Sequence, residues 1–263
     1  MTSTQGHESS VAVSIDGKLL AHDKNDGEYR HIYVMDLNTK EIHQITFGPY
    51  WDSQPAWDPK MEEIAFKRYL GGFDSDIMIV NLEAGEVQSQ PLTKNDEMTS
   101  DHSPSYDPEG KTIAYIREEV TITHPNRINP DSTLCIMNRD GTGKRDVKVK
   151  IRPNSVPRWN PQGDRIVLEG IMDGYTTIAQ IDHVEGGIKK LLTYKKISEA
   201  HPGVHFTNPS YSPNGRQIIF EVYTIANSDA ETISALCVMD VDGGNRGYLV
   251  SDFGRVKEPV WVR

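Results

Sequence analysis

One short phrase recurs five times along this chain: a proline, any residue, then a large aromatic. Its copies are Pro55-Ala56-Trp57, Pro104-Ser105-Tyr106, Pro157-Arg158-Trp159, Pro209-Ser210-Tyr211 and Pro259-Val260-Trp261. Successive aromatics lie 49, 53, 52 and 50 residues apart. A period this regular marks a repeat architecture, in which each copy is one supersecondary unit that cannot bury its apolar surface alone. A turn-prone dipeptide follows four of the aromatics: Asp58-Pro59, Asp107-Pro108, Asn160-Pro161 and Ser212-Pro213. Three of these continue to Gly110, Gly163 and Gly215. Near the start, Val13-Ser14-Ile15-Asp16-Gly17 is a degenerate copy, with Val in the aromatic position. The repeats run over about 10–48, 49–94, 95–150, 151–193 and 194–251, after a tail of 1–9, and 252–263 begins a further copy.

Each repeat reads as four short strands. The aromatic phrase opens the first, and the Pro-x-Gly turn reverses the chain. An apolar second segment follows, as in Ile64-Ala65-Phe66, Ile113-Ala114-Tyr115, Ile166-Val167-Leu168 and Ile218-Ile219-Phe220. The third has copies Ile32-Tyr33-Val34-Met35-Asp36, Ile77-Met78-Ile79-Val80-Asn81, Leu134-Cys135-Ile136-Met137-Asn138, Ile178-Ala179-Gln180-Ile181-Asp182 and Leu236-Cys237-Val238-Met239-Asp240. A fourth closes some repeats at Ile45-Thr46, Leu92-Thr93 and Leu192-Thr193. Runs of β-branched and aromatic residues between turn residues make antiparallel sheets. The fold class is therefore all-β. A lone four-stranded sheet with two apolar faces cannot hide them, whereas five arranged around an axis can, which is the logic of a β-propeller. In that arrangement the Trp/Tyr packs between neighbouring blades, where burial contributes roughly 1.5–3 kcal/mol. The proline before it, lacking an N–H, suits a strand start beside the channel. The recurring phrases thus specify fold and carry no chemistry.

The succession Pro-x-Trp, Asp/Asn/Ser-Pro-x-Gly, Ile-Ala-Phe, Ile-Tyr-Val-Met-Asp and Leu-Thr resembles the propeller repeat of the TolB family, a cousin of the WD repeat and of the propellers of dipeptidyl-peptidase-type enzymes. The resemblance covers about 10–263. It implies six blades in many members. Counting gives five complete repeats plus Glu258-Pro259-Val260-Trp261-Val262-Arg263, the first strand of a sixth, so five- and six-bladed closure both stay open. TolB carries an α/β domain ahead of its propeller, for which this chain has no room, and the peptidases carry a Gly-x-Ser-x-Gly elbow, which it lacks. Neither the envelope role nor peptidase activity follows from the resemblance.

Composition narrows the function classes. With 28 Lys+Arg against 38 Asp+Glu the formal charge is −10, which disfavours a nucleic-acid surface. No apolar run reaches the roughly 18 residues that span a bilayer. Met1 to Ser10 is polar and lacks a signal-peptide pattern, which fits a cytoplasmic protein or the processed form of a periplasmic one. Cys135 and Cys237 hold the same place in two different repeats and read as free, buried hydrophobes. The basic stretch Lys144, Arg145, Lys148, Lys150 alternates along a strand edge and reads as protection against edge-to-edge pairing.

In a propeller the loops leading into the first strands and those after the second strands gather at one mouth of the channel, where ligands dock. Here these segments include Tyr50-Trp51-Asp52-Ser53, Thr99-Ser100-Asp101-His102-Ser103, 201–208, Arg255-Val256-Lys257-Glu258 and Gly71-Gly72-Phe73-Asp74. The third and fifth repeats carry the longest insertions after the second strand, at 118–131 and 224–232. Long loops on a rigid scaffold are where function concentrates. Trp51, Asp52, Asp101, His102, His201, His205 and Arg255 are the candidate binding residues. Of these, His102, His201 and His205 are the candidate ligands for a divalent metal such as Zn²⁺ or Mn²⁺, beside Asp52 and Asp101. Some TolB-like sugar lyases carry channel-mouth metals, so the resemblance admits metal-assisted lyase or hydrolase action on an acidic carbohydrate. Against it, His201 and His205 do not lie on a helix that would face them together, and loop histidines are commonly ordinary hydrogen-bonding residues. No other cofactor is indicated, and no nucleophile, base and orienter converge in sequence. The first expectation is a non-catalytic propeller that offers one face to a protein segment or small-molecule ligand.

Overall fold

The computed structural model describes residues 8–82, 89–124, 127–151, 155–172, 175–185, 187–194, 203–225 and 234–251. Every regular element among them is a β-strand. The strands come in five successive quartets. The first holds β1 (Glu8–Val13), β2 (Leu19–Asn25), β3 (Arg30–Asp36) and β4 (Ile42–Gln44); the second β5 (Trp51–Trp57), β6 (Glu63–Gly71), β7 (Asp74–Asn81) and β8 (Ser89–Pro91). The third holds β9 (Thr99–Tyr106), β10 (Thr112–His124), β11 (Arg127–Asn138) and β12 (Arg145–Lys150). The fourth comprises β13 (Arg158–Trp159), β14 (Arg165–Met172), β15 (Tyr175–Asp182) and β16 (Ile188–Tyr194); the fifth β17 (Gly203–Tyr211), β18 (Gln217–Ile225), β19 (Ser234–Asp240) and β20 (Gly247–Ser251). Consecutive strands of a quartet pair side by side, with antiparallel ladders.

The chain divides into two compact parts, Met1–Asp146 and Val147–Arg263. In the first, the quartets join into one hydrogen-bonded sheet because the third strand of one touches the first strand of the next in parallel, at Arg30 with Trp51 and at Ser75 with Ser100. In the second part, β13–β16 and β17–β20 are separate four-stranded sheets.

Alternation along each strand sends side chains to both faces, and both faces are apolar. Ala21, Ile32 and Val34 meet Trp57, Ile64, Phe66, Met78 and Val80 between the first and second quartets. On the opposite face of the second quartet, Ala65, Ile77 and Leu92 meet Tyr106, Ile113, Tyr115, Cys135 and Met137 of the third. In the second part, Val167, Ile178, Leu191 and Leu192 meet Phe206, Tyr211, Ile218, Phe220 and Met239. The repeated aromatics Trp57, Tyr106 and Tyr211 sit in these layers, and they and Trp159 are all at least nine-tenths buried. Trp261 lies outside the described residues. Both cysteines are free and buried.

Three of these rings also satisfy their polar atom on the preceding quartet. Trp57 Nε1 donates to the Ala12 carbonyl at 3.0 Å, Tyr106 Oη donates to Glu63 Oε1 at 2.5 Å, and Tyr211 Oη accepts from Gln180 Nε2 at 2.8 Å. Burial, reinforced by the Glu63 carboxylate, pushes the Tyr106 phenol far above its ordinary value, and burial takes Tyr211 to about 12. Trp159 instead packs edge-on against His183 of its own quartet, with ring centres 4.8 Å apart.

The residue after the aromatic stabilises the turn. Ser14, Asp107, Asn160 and Ser212 each accept, through a side-chain oxygen, the amide that begins the second strand or one beside it, at 2.7–2.9 Å. The turn's left-handed position is glycine at 17, 110, 163 and 215. Met61 fills it in the second quartet, at φ 61°, a conformation that costs a non-glycine residue about 1–2 kcal/mol. Asp58 also accepts from Arg139 of the third quartet at 3.3 Å.

One expectation is corrected. In the insertion at 118–131, all but 125–126, which lie outside the described residues, is strand: β10 and β11 run 13 and 12 residues and pair from Thr112 with Asn138 up to His124 with Arg127. The β-branched run Val120-Thr121-Ile122-Thr123 extends the hairpin instead of leaving the sheet. In the fifth quartet, β18 continues to Ile225, and 226–233 lie outside the described residues.

Candidate functional site

The first strand of a quartet is not straight. Gln54, Ser103 and Asn208, each three residues before the aromatic, adopt φ of 54°, 53° and 51°, and the pairing register slips there in all three strands. These are β-bulges, each leaving an extra amide outside the ladder. The preceding quartet supplies an acceptor for two of them. Gln54 Oε1 takes the Ser103 amide at 2.9 Å, and Glu169 Oε1 takes the Asn208 amide at 3.0 Å.

Asp52 and Asp101 lie just before these bulges, and both are fully buried. Each is held by an arginine sixteen residues later on the second strand. Arg68 Nε and Nη2 contact the two oxygens of Asp52 at 2.7 and 2.8 Å, and Arg117 does the same to Asp101 at 2.9 and 3.0 Å. These bidentate pairs saturate the carboxylates. The first quartet has a comparable contact, Arg30 Nη1 to Asp23 Oδ2 at 2.5 Å. Asp52 and Asp101 are therefore structural anchors of the mouth. The constant sixteen-residue interval to an arginine was the sequence signal for this role.

His102 is buried on β9. Its Nδ1 lies 3.0 Å from Ser103 Oγ, and its Nε2 lies 3.2 Å from Glu118 Oε1, a contact whose angle is not that of a hydrogen bond. A serine, a histidine and a carboxylate in line invite comparison with a hydrolytic triad. Two facts oppose that reading. Ser103 is 2% exposed, so no substrate reaches its oxygen. Its unusual backbone is the bulge conformation shared with Gln54 and Asn208, a property of the repeat. Both ring nitrogens of His102 face protein atoms, and among the described residues no three His, Cys, Asp or Glu side chains gather as a metal site. His205 is half-buried on β17, opposite Tyr223 in the ladder. His201 and Arg255 lie outside the described residues.

Trp51 behaves differently. It opens β5 directly opposite Tyr69 at the end of β6, and both rings are exposed. Exposed Tyr50, Leu70 and Phe73 belong to the same end of this quartet. The Arg68 guanidinium lies 3.9 Å from the centre of the Tyr50 ring, so the arginine that locks Asp52 also fixes this aromatic. Tyr69 Oη donates to the Gly72 carbonyl at 3.2 Å, which ties its ring to the β6–β7 reversal. Sequence reasoning identified Trp51 but not Tyr69 and Leu70, because they continue the apolar run of a strand and read as core.

At the other end of the same quartets lies a cavity of about 730 Å³, lined by residues that include Lys60, Glu63, Glu109, Lys111 and Arg139. Its charges are spent internally: Lys111 pairs with Glu109 at 2.6 Å and Arg139 with Glu63 at 3.1 Å. It is built from the recurring turns and leaves little unpaired charge to attract a ligand.

Comparison with known proteins agrees with the fold. No family model matches the chain. Among solved structures it resembles a candidate TolB from Agrobacterium tumefaciens, with a TM-score of 0.72 and 19% identity over 95% of this chain and 83% of that one. TolB from Acinetobacter baumannii matches with a TM-score of 0.61 and 16% identity over 94% of this chain and 53% of that one. An oligogalacturonate lyase in complex with manganese matches at 0.51 and 14%, over 92% of this chain and 76% of that one. At these identities the likeness extends to the fold and not to activity. No helix among the described residues is long and apolar enough to cross a membrane. Repeating quartets, interleaved aromatics and these structural neighbours together give the chain a TolB-type β-propeller fold.

Proposed function

We propose that this chain is a non-catalytic binding propeller, built of five complete four-stranded blades and the opening strand of a sixth. One mouth of its channel receives a segment of a partner protein or a small ligand. The observation that supports this most is the contrast at the mouth itself. Its nucleophile-like residues, Ser103 and His102, are buried, while its large recognition-type side chains, Trp51 and Tyr69 foremost, are exposed. Rigid aromatics lose little entropy on binding and supply much contact area, the usual composition of a recognition surface.

Two measurements test this reading. Purified protein is incubated with oligogalacturonate and with a mixed peptide substrate, and its metal content is determined. Turnover of either substrate would overturn the proposal. A stoichiometric divalent ion whose removal lowers the melting temperature would favour the alternative, a metal-assisted lyase or hydrolase acting on an acidic carbohydrate. The expected result is no turnover and no such ion, together with peptide ligands from a random display selection whose binding is lost on Trp51→Ala.

A further inference from the structure

Five large apolar or aromatic side chains at the mouth end of the second quartet, Tyr50, Trp51, Tyr69, Leu70 and Phe73, are each 38–49% exposed. Trp51 and Tyr69 are direct cross-strand neighbours, which puts their side chains side by side on one face. Phe73 follows at the Gly71-Gly72 reversal, and Asp74 comes immediately after it, paired with Gly71. Exposed large apolar side chains gathered at one end of a sheet mark a place where something docks.

The charges around it are one-sided. Asp96 and Glu97, on the segment leading into β9, lie within electrostatic reach of Asp74. Asp96 is fixed there, accepting the Met98 amide and the Thr99 hydroxyl at 3.3 and 3.0 Å. Exposed Glu119 pairs with Thr99 on the neighbouring strand. The nearby arginines are already committed: Arg30 to Asp23, Arg68 to Asp52 and Arg117 to Asp101. Lys67 is partly buried and lies within electrostatic reach of Glu118. Among the described residues, Asp74, Asp96 and Glu97 have no cationic partner, and Asp74 Oδ1 is a buried atom without a hydrogen bond. Burial first, then the Asp96, Glu97 and Asp101 charges, hold the Asp74 carboxyl above its ordinary value.

Aromatic faces beside uncompensated carboxylates recognise cations, and guanidinium best of all, because it stacks on a ring while its edge hydrogen-bonds a carboxylate. We infer that the mouth of the second quartet binds an extended basic segment of a partner protein. Its Arg or Lys side chains lie on Trp51, Tyr69 and Phe73 and reach Asp74, Asp96 and Glu97, while its apolar residues cover Leu70. The surface, which also includes Leu70, is broader than a cage for one ammonium group, which favours a peptide over a free small cation. This inference rests on the binding reading above and names its partner's chemistry.

The test is fluorescence anisotropy with a fluorescein-labelled (Arg-Leu-Gly)4 peptide and its (Glu-Leu-Gly)4 counterpart. It is run at 0.15 M salt, which screens the general attraction of a chain carrying ten excess negative charges. The basic peptide is expected to bind and the acidic one not. Trp51→Ala and the double variant Asp96→Asn/Glu97→Gln are each expected to weaken binding at least tenfold. Glu109→Gln, at the opposite end of the third quartet, leaves binding unchanged. All the substituted side chains are exposed or at the loop surface, and thermal melts confirm that each variant is folded. Absence of binding, equal binding of both peptides, or equal weakening by Glu109→Gln overturns the inference. If display selection yields ligands that depend on Trp51 yet carry no Arg or Lys, the basic-segment inference falls while the binding reading stands. If selection yields no ligand at all, both fall.

Discussion

The second and third quartets share most of their repeating positions, Met61 against Gly110 at the turn excepted, and diverge most where their first and second strands meet at Trp51 and Ser100. Each has a buried Asp locked by an Arg sixteen residues on, a left-handed bulge residue three before the aromatic, and an aromatic packed towards the quartet before it. At the strand ends the likeness stops. The second quartet places Trp51 opposite Tyr69, whereas the third places Ser100 opposite Glu118 and extends its hairpin to His124 and Arg127. Residues that recur hold the scaffold, and residues that do not are free to recognise something. That rule sorts the mouth candidates better than residue chemistry does, since Asp52 and Asp101 look reactive and are anchors.

The comparison is broken most severely at the anchors. Arg68→Ala leaves Asp52 buried without its partner and also releases Tyr50, and should destabilise the fold by about 3–5 kcal/mol in urea unfolding. Arg117→Ala in the third quartet should cost less, about 1.5–3 kcal/mol, because Arg117 is 23% exposed and water can reach the site it vacates. Equal losses would show that the two pairs are not graded by burial. Next comes Gly141→Ala. This glycine has φ 82°, and a β-carbon there would stand 2.9 Å from the Leu92 carbonyl of the preceding quartet. A loss of about 2 kcal/mol or more is expected, read as a lower melting temperature.

The bulge sharpens the comparison. Gln54→Ala removes the acceptor of the Ser103 amide and should cost roughly 1–2 kcal/mol, with the Ser103 amide exchanging faster with deuterium. Unchanged exchange would deny that the second quartet supports the third through this contact. The smallest effect concerns Asp74, whose carboxyl is raised in the folded state by burial and neighbouring carboxylates. Its ionisation opposes folding, so the penalty is present above the folded pKa and disappears as pH falls below the ordinary value of 3.8. Asp74→Asn should stabilise by roughly 0.5 kcal/mol at pH 7, with the gain vanishing near pH 3. A gain that persists at pH 3 would assign the effect to something other than charge.

Fold and site were legible to different depths. The fold was readable because the aromatic phrase returns with nearly constant spacing, and a ring that must be buried between sheets tolerates little variation. Trp57, Tyr106 and Tyr211 lie where that reasoning puts them, and Trp159 is buried as well. The hairpin of β10 and β11 was misjudged, because polar Glu118 and Glu119 interrupt a run whose Val120-Thr121-Ile122 still favours a strand. The mouth was only half readable. Trp51 was found because it stands in a loop-like stretch, but Tyr69 and Leu70 were missed, since nothing in an apolar strand end tells which side chain emerges into water. Whether a carboxylate is free or paired depends on a partner across the ladder, and the Asp-to-Arg interval becomes visible only once two copies are aligned.

The bonds from Trp57 to Ala12, from Tyr106 to Glu63 and from Gln180 to Tyr211 all join a quartet's ring to the quartet before it. The linkage therefore has a direction, and that direction is the order in which a ribosome releases the chain. For these three rings the polar partner has already been synthesised when the ring emerges. Grafting one repeat into another protein of this kind would need the upstream acceptor or donor to travel with it. The transferable piece is the seam between two sheets, and a single sheet taken alone would carry an unmatched phenol or indole into its new host.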